Sequence, residues 1–73
     1  MRQFMELKWE DDYTIEVHIH DDKVILAANR DGLLSLANHL KAIAEQPVGY
    51  HLYLDEYNSL EDGSNELVIV KTE

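Results

Sequence analysis

Histidines and clustered acids are the residues of this chain whose types and spacing could do chemistry. His18 and His20 stand two apart in an alternating segment, so on a strand they point the same way. Two such imidazoles could ligate zinc or another transition metal, with His51 and Asp55 completing the set. His51, Tyr53 and Asp55 can also be read as an acid–base trio, but that work needs a shifted pKa, and hence burial or a close charge. The plainer reading is an ordinary wet sheet face, and nothing in the sequence sets the two histidine segments side by side. His39, beside Leu40, is expected on a helix flank with its ring against strand ends, not as a ligand. No GxSxG, HExxH, P-loop or dinucleotide turn occurs. No residue is therefore assigned a catalytic or metal-binding role, and no cofactor is expected.

The acids come in clusters: Glu10-Asp11-Asp12, Asp21-Asp22, Asp55-Glu56 and Glu61-Asp62. Fifteen Asp and Glu against six Lys and Arg give a formal net charge of −9. Such a surface repels nucleic acid phosphates and anionic lipids, and it speeds encounter with a basic protein. Acidity for solubility alone is the competing explanation. The twelve-residue ligand pattern of an EF-hand is absent. Tyr53 and Tyr57 stand among these acids, where exposed tyrosines serve as interface anchors or as covers for sheet edges. The surface expected to meet a partner is thus His51, Tyr53, Asp55, Glu56, Tyr57, Glu61 and Asp62.

These residues need elements to position them. Seventy-three residues make one domain, residues 1–73, with one small core and little room for a deep cleft. There is no cysteine, and no apolar run long enough for a signal peptide or a membrane span, which predicts a soluble cytoplasmic protein. Met5, Leu7 and Trp9 alternate with Glu6 and Lys8, predicting a strand over about residues 3–9. Tyr13, Ile15, Val17 and Ile19 alternate strictly with Thr14, Glu16, His18 and His20, the clearest strand of all. After an Asp21-Asp22 turn, Lys23 to Ala28 reads as a strand buried on more of its surface. A helix follows over about Asp31 to Gln46, capped by Asn29 or Asp31 and ended by Pro47. Leu33, Leu36, Ala37, Leu40, Ile43 and Ala44 form its apolar stripe. Val48 to Asp55 and Leu67 to Val70 read as two paired strands, joined by a polar loop in which Leu60 is tucked down and Gly63 supplies a positive φ. The order βββαββ predicts an α+β fold, an antiparallel sheet of four to five strands with the helix packed across one face. The other face would carry Glu16, His18, His20, His51, Tyr53 and Asp55.

Two stretches carry a resemblance. One runs Asn29-Arg30-Asp31-Gly32-Leu33-Leu34-Ser35-Leu36-Ala37-Asn38-His39-Leu40. The other is Gly49-Tyr50-His51-Leu52-Tyr53-Leu54-Asp55, followed by Leu60 and then Gly63-Ser64-Asn65-Glu66-Leu67-Val68-Ile69. Together, from about Ala28 to Val70, they resemble the immunity protein 32 family of bacterial polymorphic toxin systems. The resemblance implies a protein made alongside a secreted toxin, protecting its producer by binding that toxin. A basic nuclease domain would suit the charge, with carboxylates standing in for substrate phosphates. The family pattern has a second histidine where this chain has Tyr53, which counts against a shared metal site. Two alternatives remain: a small metal-binding protein using His18, His20 and His51, and a structural homodimer whose edge strands or polar sheet faces meet.

Overall fold

The alternation that ends in His20 becomes the first strand of the computed structural model, which describes residues 9–73. β1 is Ile15–His20 and β2 is Lys23–Ala28, paired antiparallel from Ile15↔Ala28 to His20↔Lys23. The helix α1 is Arg30–Ala44. β3, His51–Leu54, and β4, Leu67–Val70, form a second antiparallel pair from His51↔Val70 to Leu54↔Leu67. The strand expected over residues 3–9 lies, apart from Trp9, outside the described residues.

The hairpin tip explains its own register. Asp21 and Asp22 both have positive φ, 50° and 63°, as a two-residue type I′ turn requires. Aspartate tolerates this region better than most residues, but asparagine and glycine do so at lower cost. Replacing the pair together (Asp21→Asn, Asp22→Gly) is expected to add about 1 kcal/mol of stability. In a domain of this size that is a rise in Tm of roughly 4–8 °C. Thermal melts followed by circular dichroism check it, and an unchanged or lower Tm would show that the turn stores no strain.

The expected single sheet of four to five strands is instead, among the described residues, two separate two-stranded sheets, in the order ββαββ. The reason lies on the outer edge of β1. The segment from Glu61 to Asn65 occupies it as a strap and uses side chains where a strand would use its backbone. Glu61 N–H donates to the Ile15 carbonyl at 2.9 Å and Asn65 N–H to the Val17 carbonyl at 2.7 Å. Val17 N–H donates to Ser64 Oγ and Ile19 N–H to Asn65 Oδ1, both at 3.3 Å. With the edge filled this way, β1 has no neighbouring strand on that side among the described residues. The surface residues foreseen on one shared face are therefore divided: Glu16, His18 and His20 belong to one sheet, His51 and Tyr53 to the other.

The helix starts where Asn29 gathers three bonds. Its Oδ1 accepts from Gly32 N–H at 2.7 Å, which caps the helix, and from Thr14 N–H at 3.0 Å. Its Nδ2 donates to the Asp12 carbonyl at 2.9 Å. The buried helix face is Gly32, Ser35, Leu36, His39 and Ile43. This corrects the expected stripe: only Leu36 and Ile43 of it are buried, while Leu33 and Leu40 are 54% and 52% exposed and Ala37 and Ala44 are exposed too. The helix meets β1 and β2 at Gly32, where it has no side chain, so the faces of Ser35 and His39 turn inward with it. Ser35 is satisfied there, its Oγ accepting from Glu10 N–H at 2.8 Å. His39 is fully buried, not on a flank.

The core between these pieces is small: Ile15, Val17, Leu36, Leu54 and Leu60, with Trp9, Tyr13, Ala28, Leu52, Leu67 and Ile69 packed against it. Leu60 is tucked down as expected and Gly63 has φ 84°. β2 is a second correction. It was expected to be the more buried strand, yet it is exposed along its length, with only Ala28 half-buried. Helix and core reach the hairpin at its Ile15–Ala28 end and leave the far end uncovered.

Candidate functional site

Alternation along β3 sends Leu52 and Leu54 inward and His51 and Tyr53 outward. The two outward rings lie 5.9 Å apart and almost parallel, at 8°. Their cross-strand partners are Val70 and Val68, also exposed, so this sheet shows solvent an aromatic and aliphatic outer face.

β3 ends in a turn organised by Asp55. The Asp55 carbonyl accepts from the N–H groups of Asn58, Ser59 and Leu60, at 3.3, 3.0 and 2.8 Å. Its carboxylate Oδ1 accepts from Tyr57 N–H at 2.9 Å, and its own N–H donates to Asn58 Oδ1 at 3.0 Å. Asp55 is thus engaged in building the loop. Glu56 has a similar part, since its Oε2 accepts from Gly63 N–H at 2.7 Å and closes the loop across seven residues. The turn drives Leu60 into the core and leaves Tyr57 almost wholly exposed.

The result is a shallow depression of about 340 Å³ lined by Tyr13, Glu56, Tyr57, Asn58, Ser59, Leu60 and Glu61. Of the residues expected to meet a partner, Glu56, Tyr57 and Glu61 come together here. His51 and Tyr53 lie on the outer sheet face instead, Asp55 sits in the turn between, and Asp62 is exposed in the strap outside the lining. An open, carboxylate-rimmed hollow with one protruding tyrosine is suited to contact with another macromolecule.

The histidines do not converge. His18 Nε2 lies 3.5 Å from Glu16 and His20 Nε2 lies 3.3 Å from Asp21, both on the first hairpin, while His51 is on the other sheet. Among the described residues no three His, Asp or Glu side chains are grouped to hold a metal ion. None of the described helices is long and apolar enough to cross a membrane.

Sequence reasoning missed two features. One is the exposed helix flank of Leu33 and Leu40; the other is the exposure of β2 along its length. An apolar run such as Val24-Ile25-Leu26-Ala27-Ala28 reads equally as buried or bare, so no signal in the residues separated the two.

No curated protein and no solved structure matches the chain. The family model for immunity protein 32 matches residues 23–72, which takes in β2, the helix, the Asp55 turn and the strap. That span is more than half of the chain, and by it the chain belongs to the immunity protein 32 family.

Proposed function

We propose that this chain neutralises a secreted bacterial toxin by binding it, protecting the cell that makes both, and that its acidic surface does the binding. The family membership carries the reading. The charge of −9 and the open hollow around Glu56, Tyr57 and Glu61 support it. The partner is a cognate toxin domain of basic character, such as a nuclease, met in the cytoplasm. Tyr57 anchors the contact, Glu61 and Asp62 face the toxin's cations, and the His51–Tyr53 pair extends it. Carboxylates occupying the place of substrate phosphates would block a nuclease without any chemistry by this chain, which acts as an inhibitor and not as an enzyme.

The experiment is co-expression with the toxin domain encoded beside this chain's gene. Growth should be lost with the toxin alone and restored with the chain. Reversal of the two exposed acids (Glu61→Lys with Asp62→Lys) should weaken binding at least tenfold, chiefly by slowing association, and the association rate of the wild type should fall as salt rises. A toxin that kills equally with and without the chain would reject the reading.

A further inference from the structure

The hairpin of β1 and β2 has two edges, and the protein treats them differently. The outer edge of β1 is filled by the strap. Ile15 and Val17 offer it their carbonyls, and Val17 and Ile19 their N–H groups. Residues of β1 that bond outward must face residues of β2 that also bond outward, because the two alternate together in an antiparallel ladder. The partners of Ile19, Val17 and Ile15 are Val24, Leu26 and Ala28. The N–H and C=O groups of Val24 and Leu26 therefore point to the other edge, and among the described residues nothing receives them.

Apart from Lys23 at the tip end, this edge carries none of the usual protections among the described residues. Val24 to Ala28 contains no proline, no charge and no bulge. Its side chains are apolar and bare: Val24 is 68% exposed and Leu26 is 40% exposed. Cross-strand pairing puts Val24 beside Ile19, also exposed, so the uncovered end of the hairpin is apolar on the face that continues the core. At the tip stand two exposed carboxylates. Asp21 meets only the His20 ring, and Asp22 has no ion-pair partner among the described residues.

We infer that the outer edge of β2 is a strand-acceptor site, on which an extended segment of the toxin pairs through its backbone. The inference rests on the toxin reading above and adds to it a second place of contact. The occupant follows from the chemistry. Four backbone bonds, to the N–H and C=O groups of Val24 and Leu26, need an extended main chain. The apolar side chains need β-branched or aliphatic residues at alternate positions. Asp21 and Asp22 need a lysine or arginine where that segment passes the hairpin tip. A second copy of this chain fits less well, because it would bring another −9 of charge to the same place.

The test uses the full chain and a catalytically inert form of the toxin domain encoded beside it. Amide hydrogen exchange at Val24 and Leu26 should be fast in the free chain and slow at least tenfold in the complex, while Ile25, already bonded to β1, changes less. Val24→Pro removes an outward N–H without touching the β1–β2 ladder, and should weaken binding at least tenfold while Val24→Ala stays within about threefold. The exchange measurement needs no variant, so the test survives if Val24→Pro fails to fold. Should the wild type bind with exchange at Val24 and Leu26 unchanged, the edge site is wrong and the toxin reading stands. Should the wild type not bind at all, the toxin reading fails and takes the edge site with it. A dimer of the chain alone, seen by light scattering and abolished by Val24→Pro, would give the edge to a second copy and overturn the inference.

Discussion

Replacing Gly32 by alanine is expected to cost the fold roughly 2–4 kcal/mol, even though alanine is the better helix former. In an open helix the change would gain up to about 1 kcal/mol, from the backbone entropy that glycine loses on folding. Here the added methyl would overlap the Thr14 carbonyl oxygen, and it would lie 3.0 Å from Ala28 Cβ and 3.1 Å from Ile15 Cγ1. The first of these contacts is with backbone, which cannot rotate away. Relief requires lifting the helix off the hairpin, and that strains two more contacts. Asn29 caps Gly32 N–H while bonding Thr14 N–H, and Asn29 N–H donates to the Thr14 carbonyl at 3.2 Å. Native domains have total stabilities of only about 5–15 kcal/mol, so a loss of this size takes a large share of the margin. Urea denaturation of the wild type and of Gly32→Ala measures it, and a variant as stable as the wild type would show that the helix can lift at no cost.

The same glycine shows why the sequence could be read for its turns and strands but not for the facing of its helix. Asp21-Asp22 and Gly63 are local devices, and each did what its residue type demands. Leu67 to Val70 was legible to the residue, and so was its pairing with the strand that holds His51 and Tyr53. The helix face was not, because periodicity counts apolar residues, and this helix buries a glycine, a serine and a histidine in preference to Leu33 and Leu40. The division into two sheets was also illegible. It depends on Ser64 and Asn65 side chains standing in for a strand, and that leaves no alternation to detect. Of the candidate surface, the shared direction of His51 and Tyr53 follows from a period of two. The meeting of Glu56, Tyr57 and Glu61 depends on how the Asp55 turn closes, which composition does not encode.

His39 should make the fold sensitive to acid through one identifiable group. It is 0% exposed, it stands edge-on to Trp9 with ring centroids 4.1 Å apart, and neither ring nitrogen has a hydrogen-bond partner among the described residues. Burial pushes its pKa below the ordinary histidine value of 6.5, because the charged ring would lose its hydration and gain no partner. The unfolded chain then binds the proton more readily than the folded one. The contribution of the neutral ring is therefore present in full above about pH 6.5 and is lost as pH falls below it, at no more than about 1.4 kcal/mol per pH unit. Two unmet nitrogens also carry a desolvation cost at neutral pH, on the order of 1–3 kcal/mol, against roughly 0.5–1.5 kcal/mol for the edge contact with Trp9. His39→Leu removes both terms together, and the larger should win. The variant is expected to be about 1 kcal/mol more stable at pH 7.5, and its advantage should widen towards pH 5. The two proteins differ only at residue 39, so the difference isolates that side chain. Denaturant midpoints of the pair across pH 5 to 7.5 give that difference directly, and a constant gap would mean that the buried imidazole takes up no proton on unfolding.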